Sequence, residues 1–368
     1  MRISDIEVRV CRSVTPEFAD SEMRFSTIKE LEFLVINMKT DEGLEAASFG
    51  FAATSARGAG RIAADALKPF FLGKDPFYRE KHWQDYRMAD RWWNHVPIYS
   101  YGPFDICCWL MAARAAGQPL YRYLGAYRDR VPIYASSLVL PEPEDYARQA
   151  LAVKERGWAA YKLHPPGRYD FDLEAYRLSR QAVGEDFILM ADPVAAHNQQ
   201  SALRMGRELE KLDYYWFEEP LFDVDLHGLR RLSEALDIPI CGTEVIAGSH
   251  YSTAECIASR CVDMVRTDVS WKGGITAVMK TAHLAESFGM QCEIHTAILH
   301  PLELVNLHCC AAIRNCEFFE ILLPTEYFEF GLKKAIPIED GQALLPQEPG
   351  LGIELDWDFI EDCTLEVL

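Results

Sequence analysis

A chain of 368 residues with 49% hydrophobic and 25% charged residues is globular in composition and long enough for a large core with an appended unit. A net charge of −19 leaves no basic surface for nucleic acid, and a mean hydropathy of −0.10 with no long apolar run argues against a membrane span. The eleven cysteines are scattered, with two adjacent pairs (Cys107–Cys108 and Cys309–Cys310) and no CxxC, which points to reduced thiols in a cytoplasmic protein rather than a disulfide framework or structural zinc.

Taken in order, residues 1–50 read as a meander. DIEVRVCRS and LEFLVINMKT are strand-like, and the turn at 41–43 leads into LEAASFG. The N-terminal stretch alternates like a strand and lacks the apolar run of a signal peptide. From about Ala59 to Leu124 the pattern is helical, and its last segment, FDICCWLMAARAAGQPLYRYLG, is apolar almost all round, so it should lie buried between layers. GAYRDRVP reads as a linker.

From Val131 strands and helices alternate. The strand candidates are VPIYASSL, AAYKLH, DFILMADP, DYYWFEEP, IPICGTE, DMVRTDVS, MQCEIHT and EFFEI. Eight strands with crossover helices predict a closed (β/α)8 barrel of the TIM type, or one a unit short of eight. No GxGxxG or GxxxxGK[ST] supports a nucleotide site. The tail ALLPQEPGLGIELDWDFI is loop and then strand-like. The division expected is an α+β capping domain over 1–128, a barrel over 129–337, and a tail over 338–368 that returns to the cap.

Three of the apolar runs finish on carboxylates. Asp192, Glu218 and Glu244 follow one another at steps of 26 residues, the length of one strand–loop–helix unit, so they should sit at equivalent ends of consecutive parallel strands. In a barrel those ends converge. Three anionic oxygen donors in one cleft repel one another unless a hard dication neutralises them, and Mg²⁺ is the natural occupant. Strand two ends in Lys162 and His164, two residues apart and therefore both facing the mouth. Strand six ends in Arg266-Thr267-Asp268, strand seven in Glu293-Ile294-His295, and strand eight in Glu320. One functional group per strand end, at the face where barrels do chemistry, describes an enzyme.

With these residues in view, the chain resembles the enolase superfamily, mandelate racemase subgroup, over essentially its full length. The matching features are the K-x-K-like strand two, the D…E-E-P…E series, the strand-six Asp with the strand-seven His, GGIT at Gly273–Thr276, and PGLG at 349–352. The resemblance implies that Asp192, Glu218 and Glu244 bind Mg²⁺. It also implies that Asp268 and His295 form an acid/base dyad, that Glu320 contacts substrate, and that the cap sets specificity in a homo-oligomer. His164 stands where the subgroup usually has a second lysine, so Lys162 or His164 could serve as the strand-two base.

The reading that follows is a Mg²⁺-dependent lyase that takes the proton α to a carboxylate and eliminates water from a sugar acid. An isomerase of the same scaffold, a lactone cycloisomerase or a racemase, is the alternative. A zinc hydrolase would need H-x-H on strand one, which VPIYASSL lacks. A solute-binding or scaffold protein would not need the acid/base set. Glu219 reads as a supporting residue, His300 as a stand-in for His295, and His197 and His308 as structural. Trp92, Trp93, His82 and Arg24 read as packing or surface before pocket lining, and loops near 14–27 and 49–54 are expected to choose the substrate.

Overall fold

The alternating N-terminal segments pair as an antiparallel sheet: β1 (Ile3–Val14), β2 (Glu30–Thr40) and β3 (Glu45–Phe51), with the last strand of the chain, β14 (Thr364–Val367), added beside β1. The structure is a computed structural model and describes residues 1–14, 30–52, 55–94 and 96–368. Arg24 and most of the 14–27 loop lie outside the described residues, as do residues 53–54. Within β2, Phe33–Ile36 is apolar without alternation because both faces of the strand are covered. Leu34 lies beneath the helix at Ala56–Ile62, while Phe33, one residue back and on the opposite face, stacks on Phe49 at 4.9 Å and meets Phe330 and Phe359.

The apolar helical segment is two helices, Ile98–Ala115, buried as its pattern requires, and Leu120–Leu124, parted where Gly117 takes a φ of +63° and Pro119 caps the second. Its one enclosed charge, Asp105, accepts the Thr276 N–H at 2.9 Å and the Thr276 hydroxyl at 2.6 Å, joining the cap to the barrel. Burial pushes the Asp105 carboxyl up to about 7, against those two hydrogen bonds. Gly274 makes this approach feasible. Its φ of +89° suits glycine, and a Cβ there would stand 2.6 Å from Asp105 Oδ2.

The barrel strands are β4 (Arg130–Ser136), β5 (Ala160–Leu163), β6 (Ile188–Ala191), β7 (Phe217–Glu218), β8 (Ile240–Gly242), β9 (Met264–Thr267), β10 (Cys292–Ile294) and β11 (Phe319–Leu322). They form one parallel array in the order β10-β9-β8-β7-β6-β5-β4-β11, with a helix between each consecutive pair of strands. All eight strands are present, but the backbone ladder does not close between β10 and β11. Side chains bridge that seam. Glu293 on β10 accepts the N–H groups of Glu317 at 2.9 Å and Phe318 at 3.3 Å, and the Thr296 N–H donates to Glu320 at 2.9 Å. Carboxylates thus satisfy backbone donors that a neighbouring strand would otherwise take.

The hairpin of β12 (Ile338–Glu339) and β13 (Gln342–Leu344) lies antiparallel on β4, so within the tail only β14 adds to the N-terminal sheet. Inside the barrel, Tyr134, Ala160, Met190, Trp216, Cys241, Met264 and Phe318 form an apolar cluster separate from the main core. It fills the floor beneath the strand ends. All eleven cysteines are free, and no helix among the described residues is long and apolar enough to cross a membrane.

Candidate active site

The period of two that fills the floor also builds the mouth. Two residues beyond Ala160, Met190, Trp216, Met264 and Phe318 stand Lys162, Asp192, Glu218, Arg266 and Glu320, on the same inward face. All five are buried. β8 departs from this count: Thr243, with φ of +84°, breaks the alternation, so Glu244 follows the inward Cys241 by three positions.

The Lys162 ammonium is the hub. It lies 3.1 Å from Asp192, 3.1 Å from Glu218 and 3.0 Å from Glu320. Burial alone would lower its pKa, but these carboxylates outweigh that and raise it. Asp192 is held below the usual carboxylate range against its burial, by His164 and Lys162, and Glu320 likewise by Lys162 and Arg266. Glu218 also accepts the Trp216 indole N–H at 2.8 Å.

His164 Nε2 is 2.9 Å from Asp192 Oδ2, and its Nδ1 is 2.7 Å from the Ser137 carbonyl. Both ring nitrogens face oxygen acceptors, an arrangement satisfied when each carries a proton. His295 stands across the mouth, with Nδ1 3.6 Å from Asp268 and Nε2 3.6 Å from Glu244. Neither distance is a hydrogen bond, and His295 Nδ1 and Asp268 Oδ2 are both buried without a partner. Asp268 is oriented instead by the N–H groups of Ser270 at 2.6 Å and Trp271 at 2.9 Å, and the Trp271 ring lies tilted by 34° against His295, centroids 4.9 Å apart.

On the other side the charge balance is negative. Glu244 is raised well above the usual carboxylate range by burial and then by Glu219, Glu218 and Asp192, and its Oε2 is buried without a hydrogen-bond partner. Glu219, whose carboxylate accepts the Glu244 N–H at 3.2 Å, is pushed up to about 8 by burial and by the charges of Asp192 and Glu218. Among the described residues no three such side chains form a finished metal cage. The donor set nevertheless fits a hard dication: Asp192, Glu218 and Glu244 offer oxygen only, on neighbouring strands, with one orphaned oxygen and mutual repulsion to relieve.

The structure places other candidates elsewhere. His300 accepts the Ile336 N–H at 3.3 Å, with burial lowering it to about 4. His197 is likewise lowered to about 4 by burial and lies 3.9 Å from Asp172. His308 bonds Tyr121 and Leu351, and His82 bonds the Asp75 carbonyl. Trp92 is 60% exposed, and the Trp93 side chain lies outside the described residues. Sequence reasoning placed Arg266 at the end of strand six without giving it a role, and did not single out Tyr134, Trp216 or Trp271. Only the rule that alternate strand residues share a face could have turned Arg266 inward, two before Asp268.

A parallel eight-stranded barrel with buried acids, cations and imidazoles at its strand ends, under an α+β cap, defines an enolase-type enzyme. A family model described as enolase C-terminal domain-like matches residues 145–359, and one for the mandelate racemase / muconate lactonizing enzyme N-terminal domain matches residues 5–125. The chain belongs to this mandelate racemase and muconate lactonizing enzyme subgroup of the enolase superfamily.

Among solved structures it is similar to a D-glucarate dehydratase from Agrobacterium tumefaciens complexed with magnesium, at 35% identity, a TM-score of 0.89 and 100% coverage of both chains. Among curated proteins it is 31% identical to an arabinonate dehydratase of Saccharolobus solfataricus over 78% of each chain. It is 29% identical to an L-talarate/galactarate dehydratase of Salmonella typhimurium, over 90% of this chain and 82% of that one.

Proposed function

We propose that this protein is a Mg²⁺-dependent sugar-acid dehydratase, with Asp192, Glu218 and Glu244 holding the metal and Lys162, His164, Asp268, His295 and Glu320 carrying the chemistry. The observation that supports it most is the meeting, at one barrel mouth, of a carboxylate-binding ammonium with two imidazoles on different strands. Dehydratase names among the relatives support the reaction, and the magnesium complex of one neighbour supports the metal. Bound Mg²⁺ would supply positive charge against the substrate carboxylate, where negative charge grows as the α-proton leaves.

The residues divide the remaining work. Lys162, positioned at the mouth among buried acids, donates to the substrate carboxylate. His295, facing Glu244 and Asp268 without a hydrogen bond to either, is available to take the α-proton. Asp268 then stabilises the imidazolium that results. His164, with acceptors on both nitrogens, is arranged to give a proton to the departing β-hydroxyl. The α C–H and β C–O bonds break, one water leaves, and the enol tautomerises to a 2-keto-3-deoxy acid. The enclosed mouth, with both histidine side chains mostly buried, keeps bulk water from the reacting carbons.

The test is a sugar-acid and lactone library with Mg²⁺ in D₂O. Keto acid from open-chain acids supports the dehydratase, and keto acid from lactones alone would replace it with a cycloisomerase. Deuterium at the α-carbon without keto acid would replace it with a racemase or epimerase.

A further inference from the structure

Arg266 is fully enclosed in the barrel; both Nη atoms hydrogen-bond, while Nε has an ion-pair neighbour but no hydrogen bond. Nη1 donates to the Tyr134 hydroxyl at 3.0 Å, Nη2 donates to Glu320 at 2.6 Å, and Nε lies 2.9 Å from Glu218. Glu244 is 3.7 Å from the same Nε. Lys162 meets Glu218 at 3.1 Å and Glu320 at 3.0 Å as well. The two cations therefore bridge the same two carboxylates, a ring of Glu218, Lys162, Glu320 and Arg266 in which no member is more than 1% exposed.

A buried carboxylate that loses its only cation is strongly destabilised. If Lys162 were the sole side-chain cation, moving its ammonium to a substrate would strand Glu320 and leave Glu218 with the proposed metal alone. With Arg266 in place, Glu218 keeps the guanidinium and the Trp216 indole N–H, and Glu320 keeps the guanidinium and the Thr296 N–H. The guanidinium suits this task because it spreads its charge over three nitrogens that face different partners, whereas a lysine presents one nitrogen on a flexible stem.

We propose that Arg266 is a positioning residue that neutralises and aims Glu218 and Glu320 in its own right, so that Lys162 can leave them and give its ammonium to an incoming carboxylate. The hand-over to substrate rests on the function proposed above; the duplicated partnership does not.

The experiment is a thermal-unfolding cycle of the full chain with K162M, R266M and the double variant. In EDTA, so that no divalent ion stands beside Glu218, each single variant leaves both carboxylates one cation and the double variant leaves them none. The Tm loss of the double variant should therefore exceed the sum of the single losses; additive losses would overturn the proposal. Should the double variant fail to fold, it is compared with K162M/R266M/E218Q/E320Q. Removing both stranded charges should restore folding, and continued failure to fold would overturn the proposal.

The aiming role is read from R266K with a sugar acid that the wild type turns over. We expect kcat to fall about tenfold or more through misplacement of Glu320, with KM changed less than about twofold. Wild-type kcat in R266K would overturn the aiming role. Absence of turnover in the wild type would count against the proposed function, while the unfolding cycle would still decide the partnership.

Discussion

The floor and the mouth of the barrel are built by the same strands, two residues apart, and obey opposite rules. Met190, Trp216 and Phe318 face inward and pack against one another, while Asp192, Glu218 and Glu320 face inward one layer higher and are held by Lys162 and Arg266. Both layers are buried. The floor is stable because apolar surface leaves water. The mouth is enclosed at a cost, since charges brought out of water must be repaid by one another. The lesson is that burial alone does not separate core from site; within one strand, the position along the barrel axis does.

The contrast can be broken from either layer. At the mouth, H295N should lower turnover by about 10³-fold or more while leaving the unfolding midpoint near wild type; retained turnover would transfer the base role to strand two. E218Q should weaken Mg²⁺ binding more than about tenfold, read by calorimetry, with the fold intact by circular dichroism, because one of the three proposed oxygen ligands loses its charge. On the floor, F318A should do the reverse. It should cost about 3–5 kcal/mol of stability in urea unfolding and leave Mg²⁺ affinity within error.

The seam sharpens the comparison, because Glu293 is a charged group in a structural role. Burial pushes it up to about 7 from 4.5, opposed by the Glu317 and Phe318 N–H bonds. A raised carboxyl favours its protonated form in the folded state. The stability it contributes is present below about pH 4.5 and is lost as pH rises through about 7. Wild type should therefore weaken relative to E293Q between pH 5 and 8, by at most about 3 kcal/mol; parallel pH curves would refute this. The smallest effect is expected at the cap joint. Gly274→Ala forces a Cβ to within 2.6 Å of Asp105 at φ of +89°, which should cost about 1–3 kcal/mol in Tm-derived stability.

Much of this architecture is legible in the chain. The equal steps from Asp192 to Glu218 to Glu244 place them at consecutive strand ends because each β/α unit has a near-constant length. The alternation at Lys162 and His164 places both in the mouth because a strand has a period of two. The apolar helix at 98–115 declares its own burial. What the pattern could not convey is which groups meet across the barrel.

Arg266 is 132 residues from Tyr134 and 54 from Glu320, and no local rule pairs them. The same holds for the open seam, where Glu293 replaces a backbone ladder. It holds also for His164 facing acceptors on both nitrogens while His295 Nδ1 has none. Sequence by itself determined the elements, their inward faces and the strand ends on which the acids stand, since these follow from local periodicity. Only the tertiary structure decided the partners of each charge. In a closed interior that choice depends on distances across the barrel and on the total charge enclosed, and neither is a property of any single segment.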